Sequence, residues 1–259
     1  KMKFFASAMA FSLATLGAAA VASAAQIELN FTGGSVYSSN EAGGVQTPTG
    51  AAAKVLLDFS DYSDSTYTDA IKIQFTVENT TGDVNFGSGA TTSSLVGFGL
   101  DLVSGLTLLS TSPNLISGKT SALDNLLSNV FVGGITNGGG AAGNFSFGLA
   151  NDNNFVGGNA NDGMYEDESA VVSLLFDSAG TAADVMAQYQ AALFTPGSGV
   201  NAGLRFQQVG GDNNYAGAGS DKLLFVPPTD VTPVPLPATA WLLIAGLGGM
   251  VAMRRKRAA

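Results

Sequence analysis

The amino-acid sequence predicts an all-β protein, an antiparallel β-sandwich of jelly-roll type with one or two short helices, followed by a single C-terminal transmembrane helix. Three observations lead to this fold class. Apolar and polar residues alternate with a period of two along much of the chain, as in half-buried strands. The stretches between these segments are rich in Gly, Asn, Ser and Asp, which form turns. One uncharged segment near the C-terminus approaches the length that a membrane-spanning helix needs.

About eight segments carry the strand pattern. The clearest is 70–78, where Ile71, Ile73, Phe75 and Val77 fall on one face. The other predicted strands are 26–31, 53–59, 95–103, 144–150, 170–176, 202–209 and 222–226. The Gly-rich stretches 132–143 and 150–163 are expected to be long surface loops.

Two segments favour helix instead. In 181–193, Val185, Tyr189 and Leu193 share one helical face, and Thr181 is a suitable N-cap. Residues 121–127 are a second candidate, of about two turns.

The N-terminal residues 1–24 have the three parts of a secretory signal peptide. Lys1 and Lys3 form the positive region, an apolar run follows, and Ala22-Ser23-Ala24 is a small-residue cleavage site for signal peptidase. Residues 25–230 are then the exported β domain.

Charge and composition exclude several classes of function. The chain of 259 residues has no His and no Cys, so Ser-His-Asp triads, thiol nucleophiles, His- or Cys-ligated metals and disulfides are excluded. All 20 acidic residues and only five of the 11 basic ones lie in 25–230, so this part has a net charge of 5 − 20 = −15. Nucleic acid is therefore not an expected partner.

The C-terminal segment 231–259 contains three elements in order. A proline-containing motif comes first, then 16 uncharged residues at 238–253, and then a basic tail. Prolines keep the motif extended, and the basic residues mark the cytoplasmic side of the predicted span. The motif is Val234, Pro235, Leu236, Pro237 and Ala238, and the basic tail is Arg254, Arg255, Lys256 and Arg257.

This arrangement resembles the PEP-CTERM sorting signal in its VPLPA-CTERM variant. The resemblance implies that the chain is an exosortase substrate, anchored in the inner membrane with its ectodomain in the periplasm. It further implies removal of the tail by the exosortase and delivery to the cell surface or the extracellular space. A permanent single-span anchor is the alternative. Proteins with this signal are associated with exopolysaccharide and biofilm matrix, so the resemblance implies a structural or adhesive role.

One acidic loop is the best candidate for a ligand site. Residues 151–168 supply hard oxygen donors of the kind that calcium prefers, although their spacing does not match an EF-hand. The candidate ligands are Asp152, Asp162, Glu166, Asp167 and Glu168. A solvated acidic loop is the alternative, and no other cofactor is predicted.

A second acidic cluster surrounds two tyrosines. It consists of Asp58, Asp61, Asp64 and Asp69 with Tyr62 and Tyr67. Paired carboxylates could serve a glycosidase, but turn-forming acids beside solvent-facing tyrosines are the simpler interpretation.

Three further patterns carry less weight. The literal G-x-G-x-x-G at Gly138, Gly140 and Gly143 precedes a predicted strand rather than a helix, so it indicates a flexible loop. A Ser-Lys dyad could use Lys54, Lys72 or Lys119, but no motif supports one. Arg205 is expected to form a structural ion pair.

We therefore predict a non-enzymatic, exported surface or matrix protein. The first rival is a carbohydrate- or calcium-binding module, with Tyr62, Tyr67 or Tyr165 stacking on sugar rings. The second rival is an extracellular hydrolase.

Overall fold

A computed structural model describes residues 25–32, 36–40, 48–131, 144–153, 155, 159–210 and 219–227. These residues form twelve strands and one α-helix. The strands are β1 (Ala25–Phe31), β2 (Val36–Asn40), β3 (Ala53–Tyr62), β4 (Ala70–Asn79), β5 (Thr92–Leu100), β6 (Thr107–Leu108), β7 (Asn114–Gly118), β8 (Asn125–Phe131), β9 (Asn144–Ala150), β10 (Ser169–Asp177), β11 (Ala202–Gly210) and β12 (Gly219–Phe225). The helix is α1 (Ala182–Leu193).

The strands make two antiparallel six-stranded sheets. In the first sheet the order is β1-β3-β4-β10-β6, and β7 pairs with β10 beside β6. In the second sheet the order is β2-β12-β11-β5-β9-β8. The all-β prediction is therefore confirmed at the level of an antiparallel sandwich with one α-helix.

The two sheets share one hydrophobic core. The predicted face of β4 is buried, since Ile71, Ile73, Phe75 and Val77 are each at most 1% exposed. A chain of phenylalanine rings, on β4, β5, β9 and β10, crosses from one sheet to the other with centroids 5.7–6.0 Å apart. These rings are Phe75, Phe98, Phe147 and Phe176.

Helix α1 forms as predicted. Thr181 caps it, and the Thr181 hydroxyl and the Asp184 carboxylate form a reciprocal capping box. Val185, Tyr189 and Leu193 are buried on one face against the core. The helix thereby covers part of the sandwich beside β1 and β3.

The second predicted helix, at 121–127, is wrong. Thr120–Leu123 is a single turn of 3₁₀ helix, and the chain then enters β8. The backbone of β8 pairs with β9, with Leu126 opposite Leu149. Pairing with a neighbouring strand has overridden the local helical preference of Ala and Leu.

The outer face of the second sheet carries a small core of its own. Phe145 and Phe155 lie over glycines, and a Cβ at Gly99 or Gly203 would approach a ring carbon of Phe145 to 2.4 Å. Both rings are at most 4% exposed. The predicted loop 150–163 is therefore not wholly a surface loop, because Phe155 packs onto the sheet.

A buried polar cluster joins the two sheets at one end of their central strands β4 and β5. The Asn79 side-chain amide is fully buried and donates to the carbonyl of Met164 at 2.8 Å and to the hydroxyl of Ser93 at 3.0 Å. Its side-chain oxygen accepts from the Thr81 N–H at 3.1 Å. Asn79 thus connects β4, the start of β5 and the loop before β10.

Candidate functional site

An acidic cleft of about 480 Å³ lies at one end of the first sheet. Its walls come from the end of β3, the start of β4, the connection after β10 and the first turn of α1. Three carboxylates line it, those of Asp61, Asp69 and Asp184, together with the half-buried Tyr62. No Lys or Arg lines the cleft among the described residues.

Asp61 holds the helix against the end of β3. One of its carboxylate oxygens accepts from the backbone N–H of Ala182 at 2.7 Å, which is a free N–H of the first helical turn. A negative charge is favourable at this helix end. Asp184 lies in the same turn, and hydrogen bonds from the Thr181 backbone and hydroxyl lower its carboxyl pKa.

The turn between β3 and β4 is organised by Asp64. Its carboxylate accepts from the backbone N–H groups of Tyr67 and Thr66, both at 2.7 Å, and from the Tyr62 hydroxyl at 2.8 Å. These bonds lower the pKa of Asp64, the Tyr67 backbone bond contributing most. The bond to Asp64 raises the pKa of the Tyr62 hydroxyl. Tyr62 is thus held at the cleft by a carboxylate that stays ionised at neutral pH.

Of the four aspartates in the predicted cluster, two line the cleft. Asp58 instead accepts from the Gln26 side chain at 3.0 Å on the outer face of the sheet. Asp69 lines the cleft with a positive φ of 64°, a conformation that Asp and Asn adopt more readily than most residues.

The five predicted calcium ligands make separate contacts. Asp152 accepts from the N–H of Asn153 at 2.6 Å, and Asp162 accepts from the Asn159 amide at 2.6 Å. Glu166 accepts from the backbone N–H of Ser93.

The other two members of this set also differ in role. Asp167 is exposed with a positive φ of 62°. Glu168 forms an ion pair with Lys119 at 3.2 Å, and the Lys119 ammonium also lies 5.3 Å from the centre of the Tyr165 ring. Among the residues that the structure describes, no three acidic side chains are grouped closely enough to hold a metal ion.

The remaining sequence candidates fall in different places. Lys54 pairs with Glu28 at 3.0 Å, and Lys119 with Glu168. Arg205 lies on β11 and is 2% exposed, and its predicted ion pair stays a prediction. The glycines 138, 140 and 143, the motif 234–238 and the basic tail 254–257 lie outside the described residues. Within the described part of the chain, no helix is long and apolar enough to cross a membrane.

Sequence reasoning missed one wall of the cleft. The sequence indicates Thr181 only as a helix N-cap and does not single out Asp184, and the contact that brings this turn to Asp61 spans 121 positions in the chain. The capping-box spacing was the signal present, but it carries no information on which distant turn the helix meets.

The fold and the site together define an all-β sandwich with an acidic, tyrosine-bearing cleft beside a helix N-terminus. Searches with protein-family models, curated protein sequences and solved structures each gave no match.

Proposed function

We propose that this chain is an exported protein that an exosortase sorts to the cell surface or the extracellular matrix, where it has a structural or adhesive role rather than an enzymatic one. The observation that carries the proposal is the ordered C-terminal sequence, with the motif 234–238, the apolar segment 238–253 and the basic tail 254–257. The N-terminal segment 1–24, with its positive region and cleavage site, is consistent with export.

In this proposal the apolar segment 238–253 spans the inner membrane transiently. Sixteen residues give a helix of about 24 Å, which local thinning and snorkelling of Arg254 and Arg255 fit to a bilayer core of about 30 Å. Trp241 then lies at the outer interface. The jelly-roll connectivity predicted for the ectodomain also belongs to this proposal.

C-terminal mass spectrometry of the protein from its native organism tests the sorting step. We expect the mature protein to end near the motif and to lack the tail peptide. A matched variant with Pro235 and Pro237 replaced by Ala should keep its tail, since it lacks the motif that the enzyme would read. Recovery of intact 254–257 as the main wild-type species would contradict removal and favour a permanent anchor.

Carbohydrate binding is the second candidate function, and the cleft favours it. A tyrosine ring beside several hydrogen-bonding carboxylates is a combination that suits a sugar, because the ring packs on its apolar face and the oxygens accept from its hydroxyls. Of the three candidate tyrosines, Tyr62 lines the cleft, whereas Lys119 lies against the ring of Tyr165.

A glycan array on the protein tests this candidate. Selective binding that Tyr62→Ala abolishes and Tyr165→Ala preserves would support a cleft site. An array on which no glycan binds would contradict carbohydrate binding and leave the structural or adhesive role as the proposed function. Substrate profiling with Asp61→Asn separates the hydrolase alternative, since turnover that disappears in this variant would require a catalytic carboxylate in the cleft.

A further inference from the structure

Three asparagines begin an Asn-x-Ser/Thr tripeptide, the acceptor sequence for N-linked glycosylation in exported proteins. They are Asn30-Phe31-Thr32, Asn79-Thr80-Thr81 and Asn144-Phe145-Ser146. All three lie within the described residues, and the structure places them in different environments.

Asn79 is unsuitable as an acceptor. Its side chain is fully buried, and its amide nitrogen donates to Met164 and Ser93 in the polar cluster between the sheets. A glycan on this nitrogen would remove those bonds and would have to enter the core. Asn144 is exposed at the start of β9. The residue two positions before it, Ala142, carries no charge, which distinguishes this tripeptide from the one at Asn30.

Asn30 differs from both. It lies on the solvent-facing side of β1, which pairs only with β3 among the described strands. Its amide nitrogen donates to the Glu28 carboxylate at 2.8 Å, and Glu28 pairs with Lys54 at 3.0 Å. Because Glu28 precedes Asn30 by two residues, its carboxylate lies near the amide in the folded strand and stays near it in the unfolded chain, where Lys54 is not yet paired with it.

We propose that Asn30 carries an N-linked glycan, added as the chain is exported. The inference rests on the export proposed above. In the reaction the Asn30 amide nitrogen attacks the anomeric carbon of a lipid-pyrophosphate-linked oligosaccharide. A carbon–nitrogen bond forms, the bond from the anomeric carbon to the pyrophosphate oxygen breaks, the lipid pyrophosphate leaves with the electron pair, and the amide loses one proton.

Charge favours Asn30 over Asn144. An amide is a weak nucleophile because its nitrogen lone pair is delocalised, and an adjacent carboxylate polarises the N–H bond. A transferase that binds a lipid pyrophosphate also needs positively charged groups near the reacting atoms. The negative charge of Glu28 would be attracted to those groups and would help to hold Asn30 there. Asn144 has no acidic residue at the corresponding position.

The burial of the neighbouring residues sets the time of modification. Phe31 lies inside the tripeptide and Leu29 precedes it, and both are fully buried in the folded domain. The transferase must therefore read this segment before β1 pairs with β3. Since β1 follows the predicted signal cleavage site directly, it is the first strand to emerge.

The folded domain accommodates the product. Gln26, Glu28 and Asn30 alternate with buried residues and face solvent, so a glycan at Asn30 displaces nothing from the core. It would also stand beside the open edge of the first sheet, where a bulky polar group hinders pairing with other chains.

A single tryptic peptide reports both export and modification. No Lys or Arg lies between residues 25 and 53, so Asn30 falls in the peptide that ends at Lys54. In protein purified from the native organism, we expect this peptide to begin at or near Ala25 and to carry a glycan that fragmentation localises to Asn30. Asn30→Gln should abolish the added mass, and Glu28→Gln should lower occupancy at least several-fold. The matched control Asn144→Gln should leave it unchanged.

The outcomes separate the inference from the proposed function. A peptide that begins near Ala25 with an unmodified Asn30 overturns the glycan and leaves export standing. A peptide that begins at Phe4 shows an uncleaved signal segment and overturns both. A glycan found on Asn144 and not on Asn30, or an occupancy that Glu28→Gln does not change, also overturns the inference as argued.

Discussion

Replacing Asn79 with Ala should clearly destabilise this domain. The Asn79 side chain is fully buried, and it satisfies two backbone groups directly, the carbonyl of Met164 and the N–H of Thr81. Each buried polar group left without such a partner costs about 1–3 kcal/mol. The Met164 carbonyl keeps its hydrogen bond from the Leu95 N–H at 2.8 Å, whereas the Thr81 N–H loses the Asn79 side-chain oxygen. One such group gives a loss of about 1–3 kcal/mol, a substantial share of the 5–15 kcal/mol that typically stabilises a folded domain.

Urea unfolding followed by far-UV circular dichroism measures this loss. The one tryptophan, Trp241, lies in the C-terminal segment, so fluorescence would not report on the sandwich. Asn161→Ala is the matched control, because Asn161 is an exposed asparagine in the loop before β10 and its change should stay within about 0.5 kcal/mol. A loss below about 1 kcal/mol for Asn79→Ala, with an unchanged dependence on urea, would refute the account of this cluster.

Three other predictions concern the helix start and the acidic loop. Thr181→Ala removes the N-cap hydroxyl and should lower the free energy of unfolding by about 1 kcal/mol in the same urea assay. Asp184→Asn should be less stable than the wild type at neutral pH, and the difference should shrink as the pH falls below about 4 and vanish once the pH is below the lowered folded-state pKa. The Asp184 pKa is lowered in the folded state, so its contribution is present above the unfolded-state pKa and is lost on protonation. Calorimetric titration with Ca²⁺ tests the loop 151–168 as a calcium site. Lys119→Met should tighten Ca²⁺ binding, because it removes the ammonium paired with Glu168. Flat traces for both proteins at millimolar Ca²⁺ would contradict a calcium site.

The sequence pattern alone predicts a strand correctly where apolar and polar residues alternate and the apolar face is the buried one. The strand β4 was readable because one face is apolar throughout and that face is buried between the sheets. The strands β7 and β8 carried no such signal. Every residue of β7 is exposed, and β8 follows Ala122 and Leu123 and contains Leu126 and Leu127, residue types that locally favour helix. Both strands form because a neighbouring strand offers its ladder of hydrogen bonds, which sequence spacing does not reveal.

In the candidate site, too, one part can be predicted from local sequence and the other depends on tertiary packing. Asp61 and Tyr62 were recognised within an acidic, tyrosine-containing turn, since these residue types lie close together in the chain. The opposite wall depends on the packing of α1 against β3, which places the ring of Tyr189 5.8 Å from that of Phe59. That placement is set by the shape of the core, so the cleft itself could be found only in the folded structure.

The position of the last strand has a mechanical consequence. β12 lies inside the second sheet, with β2 on one side and β11 on the other, whereas β1, the first strand of the domain, is bonded only to β3 among the described strands. A force applied through the C-terminal segment therefore meets two hydrogen-bonded ladders before the strand can move. A force applied at residue 25 meets one and can peel an edge strand away. The domain should therefore resist a force applied after β12 better than a force applied before β1, and the rate of forced unfolding should depend on which end is pulled.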